Sequence, residues 1–385
     1  MSRAPQLRLL LLRAAGRLYA RRPAAGAPRS VLLIRPDHLG DMLFATPAFR
    51  MLRETLPHAR LTLLAGPWSQ AAVARNPDLD EVLTCRFPGF ERQPKTSLIA
   101  PYRLLFATAR SLQGRFDAAV ALRFDHWWGA WLAAAAGIPR RVGYDRPETR
   151  PFLTDARPYP PDRHEVAQNA ALVAAVVAST TAGSRGDARP GALRFVSGAA
   201  AQTWADGWLA AQGVSAGQPL IAIHPGAGAA VKQWPATAWA AVATQLGAEC
   251  DARIVLTGSA AERPLAQEIA ARLSRAPLDA TGQTDLAQLG ALLARCRLVL
   301  GSDSGPLHLA VAVGAPTVHL HGPVSARKFG PWGDPARQRV VSTNWPCAPC
   351  NRLDWPANVL AEHGCMTGIA VGDVLAAARA ALGAK

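Results

Sequence analysis

Acidic residues are scarce in this chain, and aromatic ones scarcer. Among 385 residues, 27 aspartates and glutamates stand against 42 lysines and arginines, a formal charge of +15, and 6% of the residues are aromatic. The shortage of acid points to an anionic partner: nucleic acid, a membrane surface or a phosphorylated substrate. Few aromatics, with no zinc-finger, RNA-recognition or homeodomain signature, speak against nucleic acid. No apolar run reaches membrane-spanning length free of charge, so a soluble or peripheral protein is expected. The six cysteines are dispersed and no export signal precedes them, so a disulfide framework is not expected. Cys347 and Cys350 form a CxxC pair, with Cys365 beyond. Three thiols fall short of four zinc ligands, although His363 would complete a set; reduced thiols without a metal are the expectation.

Hydrophobic residues, by contrast, make up half of the chain. That suffices for two cores in domains of roughly 150–200 residues each. The first thirty residues hold seven arginines and no acid. Within them "QLRLLLLRAAGRLYARR" sets Leu7, Leu10, Leu11, Ala14 and Leu18 on one helical face and Arg13, Arg17 and Arg21 on another. The leader, residues 1–29, is expected to be a basic amphipathic helix lying on an anionic membrane surface. A terminal helix packed on the fold is the alternative.

Beyond the leader, strand-like and helix-like runs alternate in two blocks. "RSVLLIR", "ARLTLLAG", "FDAAVAL" and "RRVGY" read as strands in the first, and "EVAQNAALVAAVVA" as a helix. "PLIAIHPG", "ARIVLTGS", "RLVLGSDSG" and "GAPTVHLHGP" read as strands in the second. The aperiodic stretch 181–193, "TAGSRGDARPGAL", is a plausible link. The pattern predicts an α/β protein of two doubly wound parallel-sheet domains, 30–190 and 191–385, with ligands at the carboxyl ends of strands in a cleft between them. It leaves open that the final helix packs back on the N-terminal domain.

Three strand-to-helix turns carry candidate chemistry. In "RPDHLGDMLFATPA", Asp41 lies near a helix start, where it would serve as a general base or only cap the helix. In "IHPGAGAAVKQWP", His224 ends a strand, and Gly226, Ala227 and Gly228 precede Lys232 and a helix. This is not a Walker loop, yet glycines and a lysine ahead of a helix suit a phosphate. A flexible turn with a solvated lysine is the alternative. In "LVLGSDSGPLHLA", Asp303 occupies the serine position of a nucleophile elbow. Ser304 and Gly305 before Pro306, with His308 one turn on, fit an anion cradle better.

Taken in order, these turns give the chain a resemblance to glycosyltransferase family 9, the ADP-heptose:lipopolysaccharide heptosyltransferases. It is carried by "VLLIRPDHLGDMLFATPAFRMLRETLPHARLTLL", "RRVGYDRPETRPFLT", "HEVAQNAAL", "IAIHPGAGAAVKQWP", "VLTGSAAERPLA" and "LVLGSDSGPLHLAVAVGAPTVHLHGP", with a weaker match at "CAPC" and "HGCMTGIAVGDV". The resemblance implies the GT-B fold, two Rossmann-like domains facing a central cleft, and an inverting, metal-independent transfer needing no cofactor. It implies that Asp41 is the base, and that Lys232 meets the donor diphosphate with the turn His224–Gly228. It also implies that Asp303, Ser304, Gly305 and His308 surround sugar and diphosphate, and that Glu262 contacts the ribose. Arg86, Arg92, Lys95 and Arg103 lie where related enzymes meet a phosphorylated acceptor. Where the family commonly has a further cysteine, this chain has Asp354 and Trp355. The expected partners are ADP-heptose, an anionic lipopolysaccharide-type glycolipid and the inner leaflet of the cytoplasmic membrane, on its cytoplasmic side, but not nucleic acid. Alternatives are a GT-B enzyme for another nucleotide sugar, a sugar-nucleotide epimerase, or a non-catalytic nucleotide-sugar-binding protein.

Overall fold

A computed structural model of the protein describes residues 3–20, 26–91, 97–177 and 190–384, and the chain divides into two compact units, Met1–Gly191 and Ala192–Lys385. Of the expected link, residues 181–189 lie outside the described residues. The first unit is built on six strands: β1 (Ser30–Arg35), β2 (Arg60–Ala65), β3 (Glu81–Thr84), β4 (Ala118–Ala121), β5 (Arg140–Tyr144) and β6 (Asp155–Arg157). Their order is β3-β2-β1-β4-β5-β6, and every pairing is parallel. Continuous apolar runs explain the arrangement. Val31–Ile34 and Ala118–Ala121 are buried on both faces, as strands of a helix-covered parallel sheet must be. The helices of this unit are α1 (Arg3–Arg17), α2 (Leu39–Thr55), α3 (Ala100–Leu112), α4 (Trp127–Ala135) and α5 (Glu165–Val177).

The second unit repeats the plan. Strands β7 (Leu220–His224), β8 (Arg253–Leu256), β9 (Leu278–Asp279), β10 (Leu298–Ser302), β11 (Thr317–His321) and β12 (Gln338–Ser342) run β12-β11-β10-β7-β8-β9, again all parallel. In each unit the first and fourth strands are neighbours, and the chain leaves them toward opposite sides of the sheet. That reversal opens a crevice at their carboxyl ends, where doubly wound sheets bind ligands. The second core is anchored by Trp234 and Trp239, packed edge to face at 4.8 Å, with the Trp234 indole donating to the Ile369 carbonyl. The final helix, Val371–Gly383, buries Val374, Leu375 and Ala378 in this same core.

The leader forms α1, but the face that holds it is not the leucine face. Leu12, Ala15 and Tyr19 pack against Ala130, Ala134 and Phe152, while Leu7, Leu10, Leu11 and Leu18 stay exposed. No helix among the described residues is long and apolar enough to cross a membrane.

One backbone constraint links β10 to β7. Gly301 lies beside His224 in register, and a Cβ there would stand 2.6 Å from the His224 carbonyl oxygen and 2.4 Å from Leu307. Gly301→Ala is expected to destabilise the second unit by about 1–3 kcal/mol through overpacking, read as a lowered denaturant midpoint. Gly228→Ala is the control, because a Cβ at Gly228 meets nothing within 4 Å.

Candidate functional site

Each crevice is lined by charge. At the end of β1, Arg35 is almost completely buried and serves five groups, the Leu122 carbonyl among them at 3.3 Å. Its Nε stands 2.8 Å from Asp37, and Nη2 stands 3.2 Å from Glu165 and 3.6 Å from Asp41. Its Nη1 donates to Asn169 Oδ1 at 2.9 Å, and Asn169 in turn donates to the Phe44 carbonyl. From the end of β4 comes Arg123, which closes on Asp37 and pairs with Asp125 at 2.6 Å. His126 is buried beside Phe87 and Phe90, and that burial drives its pKa down to about 3, so it is neutral.

Asp41 stands in the first turn of α2, whose N-cap is His38. Among the described residues it makes no capping hydrogen bond; its charged partner is Arg35. Burial, and then the carboxylates of Asp37 and Glu165, push its pKa up to about 7 against the pull of Arg35. About a third of its side chain stays accessible, 35%. A carboxyl that is partly accessible and half-ionised at neutral pH has the properties of a general base. Asp37, a few residues away, goes the other way: burial opposes its ionisation, but Arg35 and Arg123 lower its pKa.

The second crevice joins the loops after β7 and β10. Lys232 Nζ lies 2.7 Å from Asp303 Oδ2, with both side chains largely buried. On its other oxygen Asp303 meets His308 Nε2 at 3.3 Å. Burial alone would raise the Asp303 pKa, but the His308 hydrogen bond, with His321 and Lys232, holds it well below the usual carboxylate range. Ser304 is the N-cap of the helix Gly305–Ala312, so that helix points its free N–H groups into the same crevice. The Ser302 and Ser304 hydroxyls and both ring nitrogens of His319 are buried and have no hydrogen-bond partner among the described residues. Such groups are those a polar ligand satisfies.

Glu262 closes the neighbouring loop. Its Oε2 accepts from the Ser259 N–H at 2.7 Å and hydroxyl at 2.8 Å, and a Cβ on Gly226 would stand 1.8 Å from Oε1. Gly226 is therefore required by close approach, whereas Gly228 has open space. His224 pairs through Nδ1 with Thr257 at 3.1 Å, and burial lowers its pKa. The turns read from the sequence thus supply one group, Lys232, Asp303 and His308, with Glu262 against Gly226 alongside. The acceptor set is more scattered. Arg86 pairs with Glu91 at 2.8 Å, Arg103 projects from the exposed side of α3, and Arg92 and Lys95 lie outside the described residues.

Several site residues had no prior signal. Arg35, Asp37, Arg123, Glu165 and Asn169 meet only through the fold; the "HLH" of β11, two histidines on one strand face, was the one legible hint of His319 and His321. All six cysteines are free, and among the described residues no group of three or more His, Cys, Asp or Glu stands close enough to hold a metal ion.

Comparison with known proteins agrees with this plan. Residues 105–357 match the model of glycosyltransferase family 9 (heptosyltransferase). The lipooligosaccharide heptosyltransferase 2 of Haemophilus ducreyi is 27% identical over 306 residues, 77% of this chain and 84% of that protein. The crystal structure of a family 9 glycosyl transferase from Veillonella parvula superposes with a TM-score of 0.75 at 23% identity, covering 92% of this chain and 97% of that one. The ADP-heptose lipopolysaccharide heptosyltransferase II of E. coli gives 0.69 at 24% identity, covering 92% and 98%. The paired Rossmann-like units are those of the GT-B fold.

The state of Asp41 is directly measurable. A carboxyl-detected NMR titration is expected to give a midpoint near 7. In Glu165→Gln that midpoint falls, because a like charge is lost and Arg35 is freed toward Asp41. An unchanged midpoint would remove Glu165 from the account.

Proposed function

The chain belongs to glycosyltransferase family 9, and from that premise we propose that it is an inverting transferase moving heptose from ADP-heptose onto a lipopolysaccharide inner-core acceptor. The names of its relatives support the sugar and the glycan. The observation that carries the reading is the Lys232–Asp303–His308 group beside a helix N-terminus, which suits a sugar diphosphate.

Asp41 accepts the proton of the acceptor hydroxyl while that oxygen bonds to the anomeric carbon on the face opposite the diphosphate. The bond from that carbon to the diphosphate oxygen breaks, and its electron pair leaves with the nucleotide. A single displacement inverts the anomeric centre. A positioned base contributes a factor of about 10²–10⁴. Charge gathering on the departing diphosphate is met by Lys232, by Ser304 and the N–H groups at Gly305, and by the turn Gly226–Gly228 through Ala227. One preorganised donor of this kind contributes a few kcal/mol at the transition state. Asp303, oriented by His308, faces the sugar; His224 and Glu262 flank the nucleoside. Arg86, Arg92, Lys95 and Arg103 remain the candidates for phosphates on the acceptor.

The acceptor is a glycolipid, so the enzyme works at the inner leaflet, on the cytoplasmic side, as a peripheral protein. The basic leader and the formal +15 support that location.

Asp41→Asn is expected to leave donor affinity unchanged and to lower kcat by about 10² or more. In the parent enzyme kcat should rise as pH increases through about 7, since only ionised Asp41 accepts a proton; that limb should vanish in the variant. Near-normal turnover in Asp41→Asn would refute its role as base. Lys232→Ala should weaken ADP binding about 10- to 100-fold, the scale of a hydrogen bond to a charged group, by calorimetry. Unaltered affinity would leave Lys232 as no more than the partner of Asp303.

A further inference from the structure

Most of the large hydrophobic side chains left exposed among the described residues belong to two neighbouring segments of the first unit. On α1 they are Leu7, Leu10, Leu11 and Leu18, at 60–81% exposure. Just ahead of α3 they are Leu98 and the N-cap Ile99, at 90% and 63%, followed on the helix by Tyr102 and Phe106. Isolated exposed leucines are ordinary; a contiguous set marks an interaction surface.

The two segments border the same pair of tryptophans on α4. Arg8 of α1 lies 4.8 Å over the Trp127 ring, while Tyr102 and Phe106 of α3 meet Trp131 at 5.8 and 6.1 Å. Trp127 and Trp131 are themselves in contact. The leader is therefore not a loose tether. Leu12 and Ala15 fix it to the unit, and Gly16 lets it approach Pro151 so closely that a Cβ would stand 2.5 Å away.

Charge selects the occupant. Residues 3–20 and 97–116 contain no aspartate or glutamate. Arg13 and Arg17 on α1 and Arg110 on α3 are exposed and form no ion pair among the described residues. A second copy of the chain seated here by two-fold symmetry would set arginines against arginines. An anionic bilayer satisfies both parts: acyl chains take the leucines and isoleucine, and headgroup phosphates take the arginines.

We propose that α1 and the first turns of α3 form one rigid membrane-docking face, so that the leader alone is only half of the contact. The proposal rests on the reading of a membrane-bound acceptor and extends it to apolar side chains of α1 and α3 to which that reading gives no role. The test uses the full chain and flotation with vesicles of phosphatidylethanolamine and phosphatidylglycerol, 3:1 as a rough mimic of an anionic leaflet, against pure phosphatidylcholine. Ile99→Glu/Phe106→Glu and, separately, Leu10→Glu/Leu11→Glu are each expected to cut binding to the anionic vesicles by about tenfold or more. Melting temperature and turnover on a delipidated acceptor should not change. Wild-type binding by the α3 variant overturns the composite face, as does equal binding to phosphatidylcholine. A concentration-dependent dimer in sedimentation equilibrium that the α3 variant abolishes would also overturn it, in favour of self-association. Failure of the transferase reading looks different: vesicle binding would persist while no sugar moved to a delipidated acceptor.

Discussion

A guanidinium with almost no access to water dictates the chemistry of the first unit. Arg35 cannot be buried alone, because an unpaired charge in that position would cost several kcal/mol. The fold therefore gathers Asp37 from the loop after β1 and Glu165 and Asn169 from α5 around it, so that α5 is drawn onto the end of β1. Once that charge is committed to two closer carboxylates, little of it is left for Asp41 at 3.6 Å. The poise of Asp41 near neutrality thus comes first from its burial and then from the way Arg35 is neutralised by other carboxylates.

The two crevices use aspartate in opposite ways. Asp41 is crowded by like charges and served by an arginine already engaged elsewhere, so its proton is held loosely at neutral pH. Asp303 has a lysine and a histidine to itself, one on each oxygen, and stays ionised. One side chain is poised between its two protonation states near neutrality and the other keeps a fixed charge. The difference is written entirely in their neighbours.

Much of the plan was legible. Strands such as "SVLLIR", "LIAIH" and "LVLGS" have continuous apolar centres that read as buried parallel strands, and the turns that follow them hold Asp41, Lys232 and Asp303. The edge strands β3, β6, β9 and β12 went unread because they are short or partly polar and show no clear period. The leader's leucine stripe was visible, but its meaning was not: the helix is held by Leu12 and Ala15, which lie off that stripe. Arg35 and Glu165 were beyond reach for a different reason. They are 130 residues apart, and nothing local marks an arginine as buried.

The pairing of Lys232 with Asp303 also bears on how fast a ligand arrives and departs. A cation neutralised from within offers a distant anion a dipole rather than a charge, so it does little to draw a sugar diphosphate from solution. Capture from afar falls instead to the diffuse excess of +15, whose field is screened beyond about 10 Å at 0.1 M salt. On the proposed reading, a diphosphate in place would share the lysine at contact range in a largely buried crevice, where salt barely reaches. On that reading, ionic strength would therefore govern the rate of entry, and the Lys232–Asp303 pair the time of residence.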